Sequence, residues 1–142
     1  MTDLIKELVQ KAHSAQQEIE FWTQEQVDEM VAAVGWQAYI HAEECAHLAF
    51  EETRMGVYED KLVKHQKKTL GALRDLDGLK TVGLIEEDQE HGLLKSAKAV
   101  GVIGALTPVT NASATLPGNC LPMSKTRKPV IFVPQPRAQI TC

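Results

Sequence analysis

Two apolar runs late in the chain, "VGVIGAL" at 100–106 and "PVIFVPQP" at 129–136, constrain the fold most. Each is short and rich in small or β-branched residues, the composition of a strand buried on both faces. Between them lies "TPVTNASATLPGNCLPMSKTRK", which begins as a loop and turns helical near Ser113. Parallel neighbours need a crossover of that length, so 100–134 reads as strand, helix, strand: one parallel βαβ unit. Pro117 is expected in the helix's first turn, where a missing N–H costs little. Pro122 is harder to accommodate inside that helix.

Upstream the period is helical. Leu4, Ile5, Leu8, Val9, Ala12, Ala15 and Ile19 recur at helix spacing, predicting an amphipathic helix over about 3–20. Thr23 and Gln26 form a capping-box pattern before a helical region from Gln24 to Thr53. Gly35 is expected to bend it, leaving one helix or two. "EETRMGVYEDK" then turns through Gly56, suited to the left-handed conformation that ends a helix, with Tyr58 exposed beyond it. "DKLVKHQKKTLGALRDL" is a further helix to about Leu76. After Asp77-Gly78, "KTVGLIEED" and "HGLLKSAKAV" read as two strands separated by a polar turn around Asp88 to Glu90, a hairpin. The expectation is an α/β chain: helices over 1–78, a β-hairpin over 79–99, and the βαβ unit over 100–142.

Charge is segregated along the chain. Residues 1–60 carry thirteen acids against three bases, and 61–142 carry six against twelve, giving the net −4. The acidic total argues against a nucleic-acid partner, while the basic half could receive an anionic cofactor or be an ordinary solvated face. No run reaches the about 18 apolar residues of a membrane span, and "MTDLIKELVQ" is no secretory signal. Cys45, Cys120 and Cys142 are few and widely spaced, as expected of free thiols in the cytoplasm.

"HAEECAH" puts His41 and Cys45 at i, i+4 and Glu44 and His47 at i, i+3, a spacing that metal ligands also use. It lacks the H-E-x-x-H pattern and a second cluster, so a solvated helix face with Cys45 buried is expected and no metal is assigned. His13, His65 and His91 stand alone and are expected at the surface.

"VGVIGALTPVTNASAT" followed by "KTRKPVIFVPQPRA" resembles the start of the cofactor-binding domain of CoA-acylating aldehyde dehydrogenases. "EETRMGVYEDK" resembles a turn of that family, with Arg54 where Gly is usual; "FWTQEQVDEMV" and "KTVGLIEED" agree in order. The sulfoacetaldehyde-type and other short-chain acylating enzymes look nearest. The resemblance implies the first part of a Rossmann-like domain that binds NAD or NADP, with CoA as co-substrate and a small aldehyde as substrate. In the family a Cys thiolate attacks the aldehyde, hydride leaves to the dinucleotide, and CoA takes the acyl group. Asn111 falls on the family's donor to the developing alkoxide, although an Asn in such a loop can also bond its own backbone. Thr107, Pro108, Val109 and Thr110, with Val133, Pro134 and Gln135, fall on cofactor-lining positions. Gln135 and Lys128 depart from the family's usual His and Asn.

The family's nucleophilic Cys lies downstream of "PQPRA", and none of the three cysteines here matches its motif. The resemblance therefore implies a truncated fragment, inactive by itself. The alternative is a binding or assembly module whose helix at 3–20 docks on a partner or a protein shell rather than packing on its own domain. Uncovered sheet edges, with a hairpin like the family's inter-subunit arm, imply self-association.

Overall fold

The computed structural model describes residues 2–142. Five helices, α1 Asp3–Ile19, α2 Gln24–Ile40, α3 Ala42–Thr53, α4 Tyr58–Leu76 and α5 Ala112–Lys125, accompany four strands. β1 Gly83–Asp88 and β2 Leu93–Ala97 form an antiparallel hairpin, and β3 Ile103–Thr107 pairs in parallel with β4 Val130–Pro134. A 3-10 turn at Val109–Asn111 leads from β3 into α5, which is the crossover to β4. Helical layer, hairpin and βαβ unit thus follow in the order expected, making a mixed α/β chain.

The core is small. Val27 and Val31 of α2 meet Leu121 of α5, with Trp22, Val34, Leu73, Leu76 and Val82 packed around them. α3 buries Ala42, Ala46 and Ala49. The capping box at the start of α2 is complete: the Thr23 hydroxyl accepts from Gln26 N, and Thr23 N donates to the Gln26 side chain. A polar joint ties these layers together. Gln24 Oε1 accepts from the backbone N–H groups of Thr81 and Val82 at 2.7 and 3.0 Å, and its amide donates to Asp28. Lys125, only 3 % exposed, donates to the same Asp28 oxygen at 2.5 Å, while its carbonyl accepts from Thr81 Oγ1.

Several expectations are corrected. Gly35 does not bend the chain; it lies buried inside α2, and the break falls at His41. A Cβ at Gly35 would sit 2.5 Å from Leu73 Cδ2, so the glycine serves close approach of α4. The left-handed residue that ends α3 is Arg54 (φ 54°), with Gly56 (φ 75°) following in the turn. Tyr58 is half-buried, and so is Cys45. Pro117 and Pro122 both lie inside α5, past its first turn. Packing against α2, α3 and α4 holds that helix despite the two absent N–H groups. β3 starts at Ile103 and is covered on one face only: Ala105 and Thr107 are buried, whereas Leu106 is 81 % exposed beside its register partner Val133.

His65 is not at the surface. It is 1 % exposed in α4, with Nε2 donating to the Ala38 carbonyl of α2 at 3.0 Å and Nδ1 unpartnered among the described residues. Burial pushes its pKa below the ordinary value, against the opposing pull of the Ala38 hydrogen bond. The unfolded chain then binds the proton more readily than the fold does. Stability is complete above the ordinary histidine value of about 6.5 and falls as pH drops below it, by at most about 1.4 kcal/mol per pH unit. Urea melts between pH 7.5 and 5 should show this slope, and His65→Leu should flatten it.

Arg54 carries strain of another kind. A non-glycine residue in the left-handed region costs about 1–2 kcal/mol, partly offset because glycine loses more freedom on folding. Arg54→Gly is expected to stabilise the fold by about 0.5 kcal/mol, read as a higher urea midpoint with an unchanged slope.

Candidate functional site

The carboxyl ends of β3 and β4 lie side by side because Thr107 and Pro134 are register partners. Gln135 N donates to the Thr107 carbonyl at 3.2 Å, extending the pairing one step beyond the strands. This brings Thr107–Asn111 and Val133–Gln135, the two groups singled out in the sequence, onto one end of the parallel pair. α/β sheets bind ligands at that end. Pro108 and Thr110 are exposed, Val109 and Asn111 half-buried, and Thr107 buried with its hydroxyl 3.3 Å from Cys142 Sγ.

Asn111 closes the 3-10 turn and stands at the N-cap position of α5. Its side-chain amide makes no hydrogen bond to any described residue; only its carbonyl is engaged, by Thr115 Oγ1 at 2.6 Å. It therefore does not bond its own loop, and the amide is available to an external acceptor. Gln135 differs, since its Oε1 accepts from Arg137 N at 2.7 Å and is turned into its own loop. With the N-terminus of the fourteen-residue α5 beside them, these residues suit an anionic or carbonyl-bearing ligand. The outward residues Leu106 and Val133 beside them are open to solvent.

The "HAEECAH" stretch behaves as a solvated face. His41 Nδ1 lies 3.2 Å from Glu44 and His47 Nδ1 3.5 Å from Glu51. No group of three His, Cys, Asp or Glu side chains among the described residues could hold a metal ion. No helix among them is long and apolar enough to cross a membrane. A groove of about 610 Å³ lies away from the strand ends, between the end of α1 and the foot of the hairpin, with Trp22, Val100 and Arg127 in its walls.

One acid at this end, which from the sequence alone reads as finishing a solvated helix face, is engaged instead. Glu52, in the last turn of α3, accepts from Ile140 N at 2.9 Å and from Thr141 N and Oγ1 at 2.8 and 2.6 Å. Desolvation, the largest single influence, raises its pKa, but the hydrogen bonds from Thr141, Ile140 and Gln139 together outweigh it and hold the carboxyl below the ordinary value. Its partners lie 88 and 89 residues downstream, so no local pattern could have announced them.

No family model matches the chain. Among curated proteins it is 46 % identical over 140 residues to a sulfoacetaldehyde dehydrogenase of Acholeplasma sp, covering 97 % of this chain and 29 % of that protein. It is 42 % identical over 136 residues to an acylating sulfoacetaldehyde dehydrogenase of Bilophila wadsworthia, covering 94 % and 29 %. Among solved structures, an acetylating aldehyde dehydrogenase of Geobacillus thermoglucosidasius superposes with a TM-score of 0.94 at 30 % identity, over 97 % of this chain and 31 % of that one. Over almost its whole length the chain is similar to the N-terminal portion of acylating aldehyde dehydrogenases. It spans about 30 % of the length of the relatives it matches. An engineered glycolyl-CoA reductase with bound NADP+ gives a TM-score of 0.74 at 30 % identity, over 96 % and 31 %. A propionaldehyde dehydrogenase from a Clostridium phytofermentans fucose-utilisation microcompartment gives 0.77 at 31 %, over 96 % and 31 %. The match to acylating aldehyde dehydrogenases extends through α1, the hairpin and the βαβ unit alike.

Proposed function

We propose that this chain supplies the helical layer, the hairpin and the first βαβ unit of an NAD(P)-dependent, CoA-acylating aldehyde dehydrogenase acting on a small aldehyde. The observation that carries this is the unengaged Asn111 amide at the carboxyl end of β3, in a chain 46 % identical to a sulfoacetaldehyde dehydrogenase. Asn111 donates a hydrogen bond where negative charge develops on the aldehyde oxygen. Thr107, Pro108, Val109 and Thr110, with Val133, Pro134 and Gln135, line one wall for the dinucleotide, which when bound accepts the hydride. Titrating the ¹⁵N-labelled chain with NAD+ or NADP+ tests this reading. Amide shifts should concentrate at Thr107, Val109–Asn111, Val133 and Gln135; shifts confined to the hairpin, or none at about 20 mM, count against it.

A second reading concerns association. α1 buries none of its residues, leaving Leu4 65 % and Ile5 47 % exposed, and one structural neighbour comes from a microcompartment. This favours α1 as a docking helix for a shell or partner protein. After deletion of 1–20, lost association with an intact fold supports docking, while insolubility supports a packing role. Leu93 and Leu94 of the hairpin and Leu106 of β3 are more than 60 % exposed, which favours self-association of the chain. Light scattering should report species above the monomer mass; a sharp monomer across a wide concentration range counts against it.

A further inference from the structure

The "EETRMG" turn holds a carboxylate whose partners lie at the far end of the chain, and the proposed dinucleotide reading gives it no task. We infer that Glu52 is a positioning residue that holds the loop after β4 and, through it, the carboxyl ends of β3 and β4. Its two oxygens take three donors, Ile140 N, Thr141 N and Thr141 Oγ1, all within 2.9 Å. The loop they fix is itself closed by Ala138 N donating to the Gln135 carbonyl at 2.8 Å, with Ala138 fully buried. Gln135 N in turn donates to the Thr107 carbonyl, and Cys142 Sγ lies against the Thr107 hydroxyl. Two routes from Glu52 therefore converge on Thr107, the last residue of β3. α3, which carries Glu52, also packs against the 3-10 turn that ends in Asn111. One carboxylate thus fixes Thr107, the last residue of β3, and Gln135, just beyond β4, at the end that the ligand would bridge.

Three charge-assisted hydrogen bonds to one group make a tether that a neutral amide cannot replace, because its NH2 would face a donor. Glu52 touches no ligand in this scheme, and it acts by keeping the loop in its closed state. The apparent affinity for a ligand falls in proportion to the closed fraction.

This inference rests on the dinucleotide reading, and the test separates the two. Amide hydrogen exchange and NAD+ titration are followed by NMR on the 142-residue chain, on Glu52→Gln and on Thr141→Val. In Glu52→Gln, protection at Ile140, Thr141 and also Gln135 should fall about tenfold or more, while Val31 and Thr69 in α2 and α4 keep theirs. The NAD+ dissociation constant should rise about threefold or more. Thr141→Val removes one hydrogen bond, keeps a similar buried shape, and should give a smaller change in the same direction. It decides the matter if Glu52→Gln fails to fold. Lost protection at Ile140 and Thr141 with Gln135 unchanged overturns the inference, reducing Glu52 to a tether for the last residues. Equal NAD+ affinity in the three proteins overturns it too. If none of them binds NAD+, the dinucleotide reading fails, and the exchange at Gln135 alone decides whether Glu52 positions the strand ends.

Discussion

Asp28→Ala is expected to lower the unfolding free energy by about 3 kcal/mol. The Lys125 ammonium is 3 % exposed and donates to Asp28 at 2.5 Å; it has no other carboxylate partner among the described residues. Removing Asp28 strands a buried charge and also frees the Gln24 amide, which donates to the same oxygen at 2.7 Å. The Asp28 side chain is 42 % exposed, so water entering its place relieves part of the cost. Lys125→Met removes the charge itself and leaves Asp28 reachable by solvent, so its cost should stay near 1 kcal/mol. The double substitution should then be less destabilised than Asp28→Ala alone. Urea midpoints for the two single variants and the pair measure this cycle. A cost for Asp28→Ala no larger than that of Lys125→Met would show that the pair is not what holds α2 to α5.

The 142-residue chain by itself is expected to reduce neither NAD+ nor NADP+ with any short aldehyde and CoA. Acylating oxidation needs a thiolate in reach of the aldehyde, and none of the three cysteines matches the family's nucleophile motif. Burial, and then the charge of Glu44, push the Cys45 thiol above its ordinary range, away from the reactive thiolate. Cys120 lies along α5 with Ser124 Oγ 3.7 Å away, and Cys142 lies against the Thr107 hydroxyl. Loss of a covalent nucleophile removes the path itself, so a weak residual rate is not expected. The proposed dinucleotide wall draws on two strands only, and its affinity should be no better than about 1 mM, about 4 kcal/mol of binding. Turnover that disappears in Cys120→Ser or Cys142→Ser would identify that thiol as the nucleophile and overturn this expectation. Turnover surviving removal of all three thiols would require different chemistry.

The elements could be read from the sequence wherever local pattern decides them. The period from Leu4 to Ile19, the Thr23–Gln26 cap and the two apolar runs place α1, the start of α2, and the β3–α5–β4 unit. The errors share one cause: a residue's role set by a partner far along the chain. Gly35 reads as a bend until Leu73 is brought against it, and His65 reads as a surface residue until Ala38 offers its carbonyl. Pro122 reads as hard to accommodate in a helix because packing of α5 on α2 and α4 leaves no trace nearby. The proposed site depended on the family resemblance, since Thr107 and Gln135 meet only once β3 and β4 are paired. The geometry contributed the unengaged amide of Asn111 and the whole of the Glu52 contact.

The span of that contact bears on the order in which the molecule assembles. The β1–β2 hairpin joins neighbours in sequence, while β3 must find β4 across the crossover and Glu52 must find Thr141 across 89 residues. Closing long loops is entropically unfavourable before any contact compensates it, so helices and hairpin should form early and the Glu52 contact late. Interactions absent from the transition state govern how fast a protein comes apart rather than how fast it forms. Weakening Glu52 should therefore speed unfolding and leave the folding limb of the chevron almost unmoved. The carboxylate before the turn acts in this sense as a latch, setting the lifetime of the native state.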